Sequence, residues 1–237
     1  MQYARRNLAL YVTNRSQSFV VAPAILLMVA VIMIIIGLII GIRTGLPLPS
    51  EVSEGFKYNQ AIFWAIPGFL ISHGALTANR GFAGSLAFGS TRRNFWAGTA
   101  IGFMVTSLVV VAVGLVLLAI ESATGYGVGV SYLTITALDN GNPLIVAVSL
   151  FLMCLMSLFA GMSFGGIYRA LGVVWTVISV VTVVLVVLGL VAMIVAWPDF
   201  WMDMVANLDR WTVPLGLLIA TVIAAIASRT VVRFAEI

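Results

Sequence analysis

Few residues in this sequence have side chains suited to chemistry. Gly161-Met162-Ser163-Phe164-Gly165 matches the Gly-x-Ser-x-Gly spacing that presents a serine nucleophile on a strand-to-helix elbow. His73 is the single histidine, so a Ser163/His73 pair would describe an intramembrane hydrolase. However, Ser163 sits inside a long apolar run that reads as helix, and glycines four apart are also how membrane helices approach closely. The same spacing recurs at Gly37/Gly41 and Gly98/Gly102, where no chemistry is suggested. His73 is a possible in-membrane polar site, because ionisable side chains within spans tend to serve function. Its plainer role is a neutral imidazole bonded to a neighbouring helix. The lone cysteine, Cys154, excludes an internal disulfide and any paired-cysteine metal or redox motif. A phosphate-binding loop needs Gly-x-x-x-x-Gly-Lys-[Ser/Thr], and the one lysine, Lys57, follows Phe56. The chain therefore cannot hold ATP in that way, and energised work would need another polypeptide to supply the energy.

The elements that must carry these residues follow from composition. Of 237 residues, 62% are hydrophobic and 8% charged, against roughly 25% charged in soluble domains. A soluble fold of this length cannot bury that much apolar surface. The excess of four positive charges is scattered between apolar runs, so it speaks for membrane orientation and not for nucleic acid. No charge falls between Val20 and Ile42, and the later charge-free gaps hold 22, 27, 29, 29 and 18 residues. About 20 apolar residues cross the hydrocarbon as a helix. The expectation is an all-α polytopic membrane protein, a single transmembrane domain over 1–237. Its six transmembrane helices lie near 19–42, 60–79, 95–120, 143–166, 171–197 and 212–229. The stretch between Glu121 and Asp139, rich in Gly, Ser and Thr, reads as a loop with a re-entrant or short extended piece.

Six spans place both termini on one side. With them in the cytoplasm, nine of the twelve basic residues face inward and three outward, while seven of the eight acids face outward. That division obeys the positive-inside rule. At the inner surface, residues 1–18 mix arginines with Tyr3, Leu8, Tyr11 and Val12 at helical spacing, which suits an interfacial helix. On the outside, Trp197, Phe200, Trp201, Met204, Val205, Leu208 and Trp211 recur at three- and four-residue steps. They predict a short amphipathic outer helix before the sixth span. The inner loop NRGFAGSLAFGSTRRNFWAGT carries two glycine-flanked turns, Arg80–Gly84 and Gly89–Thr91. Ser90 or Thr91 is placed to cap a helix beginning at Arg92.

Taken in order, these segments resemble the membrane (permease) subunit of bacterial ATP-binding-cassette exporters of the ABC-2 kind. RNLALYVTNRSQSFVVAPAIL (Arg6 to Leu26) looks like that family's amphipathic N-terminal connecting helix and first span. LAFGSTRRNFWAGT (Leu86 to Thr99) looks like its first intracellular loop, and GGIYRALG (Gly165 to Gly172) like its second. The resemblance implies that Thr91, Arg92, Arg93, Asn94 and Phe95 form the ATPase-coupling contact, with Tyr168, Arg169 and Arg15 in support. It implies no cofactor in this chain, two copies of a cytoplasmic P-loop ATPase subunit that hold ATP and magnesium, a second permease subunit as homo- or heterodimer, and residence in the bacterial cytoplasmic membrane. It also implies export of a hydrophobic or amphipathic substrate, such as a drug, a lipid-like molecule or a peptide. The usual acidic partners of the coupling arginines are missing from the inner segments. The alternatives are the Ser163/His73 hydrolase and a non-transporting membrane scaffold or immunity protein.

Overall fold

The aliphatic run after Val20 can bury nothing alone, but as a helix it satisfies its own backbone polar groups. It forms α1, Val21–Thr44, with Pro23 tolerated in the first turn. Gly45, at a φ of 91°, stops it, and its N–H donates to the Gly41 carbonyl at 2.8 Å. The computed structural model describes residues 19–87, 89–197 and 209–234. The expected connecting helix with Arg15, and nearly all of the expected outer helix, lie outside the described residues.

Among the described residues, every regular element that follows is helical. A short helix α2, Ser50–Phe56, precedes α3, Ala61–Leu76. A π-helical turn, Thr77–Gly81, leads straight into α4, Phe82–Ala87. Then come α5, Arg92–Thr124, and α6, Pro143–Ala196, separated by irregular chain with two 3₁₀ turns. The last element is α7, Thr212–Phe234. Five stretches among the described residues are long and apolar enough to cross a bilayer. The described residues are all-helical, and their long apolar helices are compatible with a membrane protein.

Two details depart from the sequence expectation. The glycine-flanked turn at Arg80–Gly84 is absent, because α3 continues through the π turn to Ala87. Ala78 and Phe82, 2% and 1% exposed, anchor that continuation in the core. Second, α6 is one element of 54 residues where two spans and a loop were expected. Its helical geometry breaks at a single residue, Gly172 (φ 84°, ψ −174°), a conformation open almost only to glycine.

The core runs between α1, α3, α5, α6 and α7, with Leu26, Leu70, Phe103, Val110, Leu158 and Met162 fully buried. The stretch of α6 after Gly172 behaves differently. Leu185 and Val186, neighbours on different sides of the helix, are 61% and 57% exposed. A helix apolar on all sides needs lipid or another chain around it.

Candidate functional site

The end of the bundle that carries Arg92 holds most of the residues marked by the sequence. Gly89, at a φ of 78°, reverses the chain, and Ser90 N–H closes the turn onto the Ser85 carbonyl at 3.0 Å. Thr91 then caps α5: it is extended (φ −86°, ψ 154°) and its Oγ1 accepts from the Asn94 N–H at 3.3 Å. Arg92, Arg93 and Asn94 therefore form the first turn of a 33-residue helix. Phe95, 3% exposed, turns inward and meets the Phe82 ring edge-on at 5.2 Å.

Arg169 on α6 reaches the same place. Its guanidinium lies 5.3 Å from the Phe82 ring centre and donates to the Asn79 carbonyl at 2.7 Å. Phe82 thus joins the two sequence-marked segments, Arg92–Phe95 and Tyr168–Arg169. Tyr168 is 43% exposed beside it.

A second set of contacts, which the sequence reading missed, ties α5 to α7. Arg92 donates through Nη1 to the Arg233 carbonyl. Trp96 donates through Nε1 to Ser228 Oγ at 3.0 Å, and the Arg229 guanidinium lies 5.6 Å from the centre of its indole. The indole also stacks on Phe159 at 6.0 Å. Between the two helices lies a cleft of about 280 Å³ lined by Arg92, Arg93, Trp96, Ala97, Arg229, Val232 and Arg233. The available signal was spacing: Arg92/Trp96 and Arg229/Arg233 are both four apart, so each pair shares one helix face.

The Gly-x-Ser-x-Gly segment has its own geometry. A Cβ at Gly161 would strike the Ile71 carbonyl, and one at Gly165 the Ala75 carbonyl. Gly74 returns the contact against the Leu158 carbonyl. The glycines therefore bring the α3 and α6 backbones together. Ser163 points elsewhere. Its hydroxyl bonds the Phe159 carbonyl at 2.9 Å and lies 3.4 Å from the Ala224 carbonyl on α7. His73 is buried on α3 with its ring stacked on Phe69 at 6.1 Å. The structure places the serine hydroxyl toward α7, away from the glycine seam facing the helix that carries His73. Among the described residues no three His, Cys, Asp or Glu side chains gather in a way that could hold a metal.

At the opposite end, Glu121 is 3% exposed in the last turn of α5. Its Oε1 accepts from the N–H groups of Tyr132 (2.7 Å), Leu133 (3.1 Å) and Thr134 (2.9 Å), and from Thr134 Oγ1 (2.5 Å). Its Oε2 accepts from Leu133 at 2.8 Å. These bonds hold the loop between α5 and α6 inward, so that Tyr132, Leu133 and Ile135 are fully buried. The loop is also tied to the α1–α3 connection. Leu48 N–H donates to the Val128 carbonyl at 3.0 Å, and Ser53 Oγ donates to the Gly129 carbonyl at 2.7 Å. Burial raises the Tyr126 and Tyr132 phenols above their ordinary range; for Tyr126 the Glu121 charge is the next cause, and for Tyr132 it follows that of Tyr126. Comparison with protein-family models, curated proteins and solved structures returns no match.

Proposed function

We propose that the chain is the transmembrane subunit of an ATP-binding-cassette exporter of the ABC-2 kind, driven by separate ATPase subunits. The observation that carries this reading is the junction at Phe82. It joins the capped Arg92–Phe95 turn to Tyr168 and Arg169, two segments that the resemblance assigns to one coupling surface. A push on the Arg92 turn enters α5 at its first residue. Phe95 and Phe82 pass it to Arg169 on α6, and the bond from Arg92 to the Arg233 carbonyl passes it to α7. Closure of an ATPase pair beneath this surface would tilt several helices together.

The six-span, inside-termini topology belongs to the same reading. An unbroken 54-residue α6 would be about 80 Å long at 1.5 Å per residue, far more than a hydrocarbon core of about 30 Å. The break at Gly172 divides it into two lengths that each fit, giving the sixth span. The exposed apolar stretch after Gly172 suits a lipid-facing helix or a seam with a second permease copy. Apart from Glu121 in the last turn of α5, the buried polar groups within the helices, including His73, Thr106, Ser107 and Ser157, are uncharged types or a lone imidazole. Such walls suit export of a hydrophobic or amphipathic molecule across the bacterial cytoplasmic membrane better than passage of an ion.

The test is an affinity pull-down of the tagged chain from its native cells in mild detergent, with co-purifying proteins identified by mass spectrometry. A stoichiometric P-loop ATPase is the expected result. Its absence, under conditions in which known transporter complexes survive, would overturn the proposal.

A further inference from the structure

The cleft between α5 and α7 has a chemistry that transmission of force does not require. Four of its seven lining residues are arginines, and none is acidic. The nearest acid in sequence, Glu236, lies outside the described residues. Like charges gathered on two helices repel each other, and an anion seated between them would turn that repulsion into attraction.

Two of the four guanidiniums are held in place. Arg92 is fixed by its bond to the Arg233 carbonyl, and Arg229 lies over the indole of Trp96. Trp96 is itself held by Ser228. Arg93 and Arg233 are exposed and complete the ring. The first N–H groups of α5 contribute a further positive potential at the same end. Planar guanidiniums match the paired oxygens of an oxyanion two at a time, so this cleft suits a phosphate group better than a halide.

The remaining lining residues decide how that phosphate arrives. Ala97, Val232 and the Trp96 ring continue the apolar surfaces of two membrane helices into the cleft. Basic pockets between such helices, next to an interfacial tryptophan, suit acidic headgroups whose acyl chains lie along the helices. We infer that the Arg92/Arg93/Arg229/Arg233 cleft binds a phosphate group, supplied by the headgroup of an anionic lipid, that bridges α5 and α7. This inference goes beyond the transporter reading and does not rest on it, since the cleft needs no ATPase to fill.

The full chain would be purified into detergent containing equal amounts of phosphatidylglycerol and phosphatidylcholine with identical acyl chains. Retained lipid is then counted by native mass spectrometry. The wild-type protein is expected to keep the anionic lipid with about tenfold preference, and Arg229→Ala/Arg233→Ala to lose most of it. Arg229→Gln/Arg233→Gln, which keeps long polar stems, replaces the alanine pair if that pair fails to fold and is expected to lose the preference equally. Arg43→Ala/Lys57→Ala, at the other end of the bundle, should leave it unchanged. A folded glutamine or alanine pair that still prefers phosphatidylglycerol as the wild type does would overturn the proposal, as would equal loss in the Arg43/Lys57 control. Replacing chloride with phosphate at constant ionic strength separates the sources. Lipid that stays bound assigns the cleft to a headgroup; lipid displaced by phosphate overturns the lipid assignment and leaves a soluble phosphate as occupant. Because Arg92 and Arg93 are untouched, ATPase association can fail or succeed independently of this result.

Discussion

Replacing Glu121 with Gln would test whether one buried carboxylate holds the loop between α5 and α6 over the end of the bundle. The substitution preserves shape and changes only charge and donor pattern. If the Gln oxygen takes the place of Oε1, it keeps the bonds from Tyr132 N–H, Thr134 N–H and Thr134 Oγ1. Each changes from a charge-assisted bond to a neutral one, a loss of about 1 kcal/mol apiece. The Gln NH₂ then faces the Leu133 N–H, which loses its 2.8 Å acceptor and keeps the weaker one at 3.1 Å. Against this, a buried charge no longer has to be desolvated, which returns a kcal/mol or more. The net expectation is a loss of about 2 kcal/mol. Glu121→Ala, which leaves all four donors without their acceptor, should cost more, about 4 kcal/mol.

Two assays read this separately. Chemical unfolding in detergent gives the stability change, and amide hydrogen exchange reports Tyr132, Leu133 and Thr134 one by one. Exchange should rise at those three amides in Glu121→Gln, while amides in the middle of α5 and α6 stay protected. A double-mutant cycle with Thr134→Val should show coupling of about 1 kcal/mol through the 2.5 Å bond. Unchanged unfolding with all three amides still protected would refute the reasoning, because the loop would then be held by its apolar contacts alone.

Gly161→Ala and Gly165→Ala should each destabilise the protein by about 2 kcal/mol or more, since each new methyl meets a carbonyl of α3. Ser163→Ala should cost less than about 1 kcal/mol and should leave labelling by a fluorophosphonate probe no different from wild type. A labelled wild type that goes dark on Ser163→Ala would instead revive the hydrolase. Gly172→Ala meets no atom within 4 Å, so backbone strain alone should cost about 1–3 kcal/mol, measured by thermal unfolding in detergent. Arg92→Glu/Arg93→Glu should leave the chain folded and inserted but abolish ATPase association and substrate-stimulated hydrolysis. Normal export by that pair would place the coupling surface elsewhere.

The helix positions were legible because membrane helices are marked by what they exclude. Charges at Arg43, Lys57, Arg93, Glu121 and Arg210 fall at or near helix ends, so the charge-free gaps approximated α1 and α5 within a few residues and marked the starts of α3 and α7. Thr91 was legible for a different reason. A hydroxyl before two arginines and an asparagine is a local capping signal, and the Asn94 N–H sits where that signal requires. Local signals failed where a distant contact set the outcome. Glycines at 81 and 84 read as a turn, yet Ala78 and Phe82 are buried by other elements and hold the segment helical. Gly172 read as part of a loop, yet helical residues flank its single positive φ on both sides.

Glu121 and the α7 arginines show what pairwise reading along a chain leaves out. A carboxylate in the last turn of a helix lies against the negative end of the helix dipole, so Glu121 by itself is an unfavourable choice. That local conflict predicts a compensating set of donors, although it does not say where they are. The structure supplies them from residues 132–134. The mirror case is Arg229 and Arg233, which are well placed near a helix C-terminus by the same rule and so attract no suspicion. Only when α5 brings Arg92 and Arg93 alongside does a favourable local choice become a crowded set of like charges. Local conflict and local comfort each hid a long-range partner: for Glu121 the loop is that partner, and for the arginines it is the proposed phosphate.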